Sequence, residues 1–377
     1  MTQKGVWDLQ DVRDEYLAGN WSYTSNDPYS LYVWGTNSGT LGLNEAAPRS
    51  SPTQLPGTQW SREIKDLPLT IKTDGTAWAW GANSQGTLGQ NDLVDRSSPI
   101  QIPGTQWDRV AKNSNRNISV AFKTDGTLWL WGRGNNGILG YNKTEARSSP
   151  IQLPGTWNHV SNGENHMYGT TTSGELYWWG RGNSGASGQN VNTLVRSSPV
   201  QIPGTGWNKV FASNGSYSGY FTKTDGSLWA VGANDFGMLG QNDMVQRSSP
   251  VQIPGTQWDT LYAGTQGVIA TKTDGTMWGW GTGGAGNLAQ NDAVARSSPV
   301  QIPGTNWALG YNRMARPFYT TIALKTDGTM WAWGQNNNGQ YGDNSKVIRS
   351  SPTQIPGTDW TGVSSLGQSS FAATKNN

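Results

Sequence analysis

Three short strings recur in the same order seven times along this 377-residue chain. A chain that repeats itself in this way folds as an array of like units, each burying its apolar face against the next. The first string is an apolar run ending in Trp-Gly or its equivalent: Trp34-Gly35, Trp80-Gly81, Trp131-Gly132, Trp179-Gly180, Val231-Gly232, Trp280-Gly281 and Trp333-Gly334. The second is Arg-Ser-Ser-Pro, beginning at Arg49, Arg96, Arg147, Arg196, Arg247, Arg296 and Arg349. The third is Pro-Gly-Thr leading into Trp60, Trp107, Trp157, Trp207, Trp258, Trp307 and Trp360.

The copy that opens at Trp107 shows what one unit folds into. Residues 107–112 read as a short strand, and 118–123 as a second, rich in β-favouring residues. Thr124-Asp125-Gly126-Thr127 is a tight hairpin, because Asp-Gly tolerates the positive φ such turns need. Leu128-Trp129-Leu130-Trp131 is a third strand, and a glycine-rich loop (132–140) follows it. Pro150-Ile151-Gln152-Leu153 is a fourth. Four antiparallel strands per repeat of about 50 residues predict a propeller blade. The chain enters at Leu31-Tyr32-Val33-Trp34, a third strand, and leaves through 360–363 and 371–375, a first and a second. The expected fold is therefore all-β. It is a seven-bladed β-propeller of four-stranded antiparallel blades, closed by a composite blade from both termini so that no sheet edge is left open.

This pattern resembles the regulator-of-chromosome-condensation repeat family. The likeness rests on the aromatic-Trp-Gly strand, on loops such as Gly86-Thr87-Leu88-Gly89 and Gly137-Ile138-Leu139-Gly140, and on the Arg-x-x-Pro beyond them. It covers about residues 31 to 375 and implies a seven-bladed propeller. The family's Gly-x-x-His before the second strand survives only as Gly163-Glu164-Asn165-His166. Fold does not carry activity, since propellers host unrelated functions. Guanine-nucleotide exchange on a small GTPase, known from this family, ranks lowest: those proteins are eukaryotic regulators, and no basic nuclear-type tail occurs here.

Composition narrows the function mainly by exclusion. There is no cysteine, hence no disulfide, thiolate metal site or cysteine nucleophile. A net charge of +2 is too small to bind nucleic acid through bulk charge, and no apolar run is long enough for membrane insertion. No secretory leader with an apolar core opens the sequence. Two histidines, His159 and His166, offer neither a metal set nor a triad. Asp74, Asp125, Asp225, Asp274 and Asp327 sit one per turn, spread around a rim rather than paired for acid–base work. Gly132 to Gly137 matches a dinucleotide glycine pattern, but no helix follows to bind phosphate. No catalytic residue, metal or cofactor is expected, and the chain reads as a non-enzyme. Nineteen of 21 tryptophans fall in repeat positions, which assigns them to interblade packing rather than sugar stacking. The repeat arginines are expected to tie a loop to carbonyls or to an Asp of a neighbouring unit.

Positions equal in every unit build scaffold, whereas positions that differ can recognise a partner. The loops between strands one and two share a face with those between three and four, and both vary. The opposite face carries near-identical turns. The candidate contact residues on the variable face are Asn115, Arg116, Asn117, Arg133, His166, Arg181, Tyr217, Arg313, Arg316, Phe318 and Tyr319. The longest one-two loop is read as residues 311–319.

Residues 1–30 stand outside the repeat, and 31–377 form the propeller. Val6, Leu9, Val12, Tyr16 and Leu17 recur at helical spacing, with Trp7 beside them and Gly19 as a stop. This predicts a short N-terminal amphipathic helix that needs a partner surface; a homo-oligomer is one arrangement its stripe permits. Gly5-Val6-Trp7-Asp8-Leu9-Gln10-Asp11-Val12-Arg13-Asp14, with Leu17-Ala18-Gly19-Asn20-Trp21, resembles the opening of tailed-phage virion structural proteins. That likeness implies a virion component assembled in the host cytoplasm. The helix would dock on other virion proteins, and the loop face would meet a host cell-surface glycan or protein. The alternative is a bacterial interaction module, secreted or on the cell surface, similar to propeller-type β-lactamase inhibitor proteins.

Overall fold

The structure is a computed structural model that describes residues 32–35, 41–47, 49–57, 59–60, 69–110, 117–213, 215–264, 266–310, 313–316, 319–343, 345–365 and 371–375. The expected N-terminal helix, with Val6, Trp7, Leu9, Val12, Tyr16 and Leu17, lies outside them. So do the candidate contacts Asn115, Arg116 and Phe318. The described residues hold no α-helix. They form five four-stranded antiparallel sheets, one three-stranded sheet and two two-stranded ladders. One blade shows the order: Trp157–Asn162, His166–Thr171, Leu176–Arg181 and Val195–Ile202, each strand paired with the next. In the three-stranded sheet, residues 61–68, where a first strand is expected, lie outside the described set, and Trp60 still bridges to Lys72. Tyr32–Gly35 pairs with Arg49–Gln54, a third and a fourth strand; Trp360–Ser365 pairs with Phe371–Lys375, a first and a second. The two complementary halves of the expected composite blade are thus each present as a ladder. The chain divides into a smaller unit (1–112, 116–134, 145–155) and a larger one (113–115, 135–144, 156–377).

Burial follows strand rank. Second strands such as Ile118–Lys123 are buried on both faces except at the last residue, which accounts for their unbroken apolar and small-residue content. Fourth strands such as Arg147–Leu153 are only half-buried, and this one begins at the repeat arginine, three residues earlier than the sequence suggested. Pro150 is tolerated there because the fourth strand is a sheet edge and the register shifts between Leu130 and Gly132. Part of the expected 311–319 loop also departs from expectation. Met314–Ala315 is not loop but first strand, buried and paired with Ala323 and Ile322.

In the larger unit, first strands lie against one another. Ala212 N donates to Ser161 Oγ at 3.0 Å, and Lys209 Nζ lies 2.7 Å from Asp259 Oδ1. Four of the Trp-Gly tryptophans reach back one blade. Trp131 Nε1 donates to Thr87 O (2.7 Å), Trp179 Nε1 to Ile138 O (2.7 Å), Trp280 Nε1 to Met238 O (2.5 Å) and Trp333 Nε1 to Asn287 O (3.1 Å). Where Val231 stands instead of Trp, the matching acceptor Ala186 O takes the Tyr168 hydroxyl, at 2.6 Å. These contacts make the repeat tryptophans packing elements.

A second fastening uses asparagines held at positive φ. Asn91 N donates to Ser148 O (2.6 Å), Asn190 N to Ser248 O (2.7 Å) and Asn242 N to Ser297 O (2.8 Å), each joining a three-four loop to the next blade's fourth strand. Three of the repeat arginines make the expected ties to loop carbonyls, Arg96 Nη1 to Val94 O at 2.8 Å and Arg296 Nη1 to Val294 O at 3.0 Å, with Arg247 alike, but their Asp partners lie in their own blade rather than in a neighbouring one. Arg96, Arg247 and Arg296 bind Asp92, Asp243 and Asp292, four residues earlier, at 2.6–2.7 Å. Proximity in sequence wins because the Asp already caps the loop: Asp92 Oδ1 accepts from Val94 N at 3.0 Å. That backbone bond, followed by the bonds to Arg96, lowers the Asp92 pKa.

Candidate binding face

The Trp-Gly glycine is what brings the two kinds of loop together. At Gly232, φ is 106°, and a Cβ there would stand 2.0 Å from Tyr217 O. With no side chain in the way, the one-two loop closes on the exit of strand three. Ala233 N donates to Tyr217 O (2.8 Å), Arg133 N to Asn117 O (2.7 Å), Arg181 N to Asn165 O (2.8 Å) and Gln335 N to Tyr319 O (2.9 Å). Each of these blades therefore presents a joined pair of loops at one end. The other end carries the Asp-Gly turns, where Asp125 Oδ1 accepts from Thr127 N and Oγ1 at 2.9 and 2.7 Å. These turns are further locked by a lysine that sits over both tryptophans of its blade. Lys272 Nζ is 4.7 Å from the Trp258 ring and 4.6 Å from the Trp278 ring, and Lys72, Lys123, Lys223 and Lys325 repeat the arrangement.

On the variable face the candidate residues separate. Asn117 and Arg181 are exposed, the latter with Nε 3.2 Å from Asn183 Oδ1. Arg133, Tyr217 and Tyr319 are half-buried. His166 is not a contact residue: it is fully buried, its ring packed over Gly163 and 5.2 Å from the Tyr168 ring. Neither ring nitrogen has a hydrogen-bond partner, and burial lowers its pKa to about 4, so it is neutral. Arg313 donates to Thr361 O and Arg316 to Gly267 O, so both serve as ties between neighbouring blades of the larger unit. Burial lowers the Arg316 pKa to about 10, which leaves it charged at neutral pH. Tyr220 below it is raised by burial and stays protonated.

The face also holds a recess that the candidate residues only partly anticipated. It is open to solvent on one side, has a volume of about 230 Å³ and is lined by Ser184, Ser216, Tyr217, Asp235, Phe236 and Gln266, among others. It draws on three successive blades of the larger unit. Behind Gln266, Tyr319 donates its hydroxyl to Gln266 Oε1. The signal was visible in the sequence. Phe236 stands where other copies have Gln85, Asn136, Ser184, Ala285 and Asn338, and it remains 37% exposed. No group of three His, Asp or Glu suited to a metal occurs among the described residues.

Blades of this pattern, fastened in this way, define a repeat β-propeller. The chain belongs to the RCC1-like domain family, whose profile matches residues 30–372. Two curated relatives are the RCC2 homolog of Danio rerio and RCC2 of Homo sapiens. Each is 27% identical over 128 residues, 33% of this chain and 26% and 24% of those proteins, so the match spans about a quarter of their length. Among solved structures, Prp20p of Saccharomyces cerevisiae superposes with a TM-score of 0.70 at 20% identity, covering 94% of this chain and 93% of its own. That protein is studied for its binding to Gsp1p and histones. Prp20 in complex with Kap60 gives 0.69 at 19%, covering 100% and 95%, and human WBSCR16 gives 0.70 at 19%, covering 92% and 100%. At these identities the likeness is one of fold.

Proposed function

We propose that the chain is a non-enzymatic binding propeller of a tailed-phage particle, fixed by its N-terminal segment and presenting the variable loop face to a surface outside the particle. One observation carries the binding reading. The face built from the joined loops changes from blade to blade, while the opposite face repeats the same Asp-Gly turn and Lys–Trp sandwich. Protein binding by Prp20p, to Gsp1p and histones and in the complex with Kap60, supports a macromolecular partner for the same fold. The particle assignment is supported by the resemblance of residues 5–21 to virion proteins. Many copies on one particle would turn weak single contacts into firm attachment through effective concentration.

The test has two arms. Deleting residues 1–25 leaves a folded propeller that no longer enters particles; incorporation of the shortened chain refutes the anchor. Arg181→Ala combined with Tyr217→Ala weakens attachment of the particle to host cells, while Lys272→Ala on the opposite face does not; the reverse ranking refutes the choice of face. A tight one-to-one complex with a soluble protein, formed without particles, would instead place the chain with the bacterial interaction modules.

A further inference from the structure

Resting on the loop-face reading above, we infer that the recess between Tyr217 and Phe236 is a binding subsite for one uncharged hexose unit of a surface glycan. Three features lead there. First, the walls are two aromatic side chains on separate loops, one of them an exposed phenylalanine that no neighbour buries. A pyranose presents an apolar face of C–H groups that stacks on such rings. Second, the polar groups at the rim are unspent. The Asp235 carboxylate, the Ser184 hydroxyl and the Tyr217 hydroxyl have no partner among the described residues. Third, the Gln266 amide is oriented. Gln266 lines the recess and its Oε1 is taken by the Tyr319 hydroxyl, so its Nε2 remains as the donor it can offer a ligand. A carboxylate that only accepts, an amide nitrogen that only donates and two hydroxyls that do both suit a ring of hydroxyls, each of which is also donor and acceptor. A quaternary ammonium would use the carboxylate and the rings but leave the Gln266 donor unmatched, and an anionic sugar would meet Asp235. The volume of about 230 Å³ is enough for one sugar ring, and the open side leaves room for the rest of a glycan.

The probes are methyl glycosides of glucose, galactose, mannose and N-acetylglucosamine, with tetramethylammonium as the rival, each read by saturation-transfer NMR on the full chain. At least one glycoside binds, with a dissociation constant of about 1–10 mM, in line with so few ligand atoms. Phe236→Ala and Asp235→Asn, both at exposed loop positions, each weaken it by about tenfold or more, while the circular dichroism of the parent is kept. Absence of all four glycoside signals overturns the subsite, as does a signal that survives both substitutions. Tetramethylammonium binding that is lost in Asp235→Asn replaces it with a cation site. Host attachment that depends on Arg181 and Tyr217 but not on Asp235 or Phe236 overturns the sugar subsite while leaving the loop-face reading intact.

Discussion

His166 should make the stability of this protein pH-dependent in a range where its carboxylates contribute little. The imidazole is fully buried, has no hydrogen-bond partner and titrates at about 4 rather than at its ordinary 6.5. A base whose pKa is lowered on folding favours the folded state above the unfolded value, because only the unfolded chain takes up the proton between the two. The contribution is therefore complete above about pH 6.5, falls as the pH drops through the window, and is exhausted below about pH 4. Going from about pH 7.5 to pH 5, the linkage relation gives a loss of about 2 kcal/mol. The caps and turns, whose aspartates have pKa values lowered from 3.8, begin to lose their stabilisation only below that range. His166→Phe removes the titration. It also overpacks the site above Gly163 at a cost of about 1–3 kcal/mol, but that offset does not vary with pH. Urea midpoints followed by tryptophan fluorescence at the two pH values, compared at equal slope, isolate the effect. The parent loses about 2 kcal/mol more than the variant on acidification. Equal losses in both proteins would show that the ring is hydrated or hydrogen-bonded in solution, and the account of this loop would fail.

Other consequences are as direct. Tyr168→Phe leaves Ala186 O without its donor and should cost about 1–3 kcal/mol in urea denaturation, whereas Tyr220→Phe should cost less, since Met238 O keeps the Trp280 indole. Asn242, at φ 61°, should accept Gly at smaller cost than Val, which should lower stability by about 1–2 kcal/mol, while an equal effect of the two would remove the left-handed fastening from the argument. Lys272→Ala should lower stability by about 0.5–1 kcal/mol, with a change in tryptophan emission as the Trp258 and Trp278 rings lose their cation; unchanged emission would count against the sandwich.

How much of this was legible beforehand depends on where each interaction resides. The second and third strands announce themselves through β-favouring content and the Asp-Gly hairpin, and the structure has them where the sequence did, as at Ile118–Lys123 and Leu128–Gly132. The fourth strand was read short because Arg-Ser-Ser-Pro looks like loop; only an edge position makes its proline acceptable. The asparagine fastenings went unread because the bonding groups are backbone N–H and C=O, which carry no side-chain signature. The arginine partners could have been found, since Asp precedes Arg by four residues in three copies. His166 misled because a polar residue in a variable loop reads as exposed, although the glycine three residues before it marks room for a buried ring. The lysine sandwich left a trace in covariation between copies: where Thr171 replaces the lysine, Tyr177 replaces the first tryptophan of the third strand.

The blade of residues 207–253 departs from the common pattern at several points, and they belong together. Val231 replaces the indole that would reach back one blade, and Tyr168 from the preceding blade supplies the missing donor. That hydroxyl can come so close only because Gly219 faces it; a Cβ there would stand 2.5 Å from the ring. The same blade alone carries Asp235 and Phe236 in its three-four loop, and they stand beside Tyr217 of its one-two loop. A fold made of near-identical wedges can give up one wedge's regular packing, provided its neighbours restore the lost contacts, and the freed positions then lie beside one another on a single face. That is why function in this molecule is assigned to one blade and its two flanks rather than to the residues every copy repeats, and why substitutions there should alter binding while leaving the other blades' fastenings as they are.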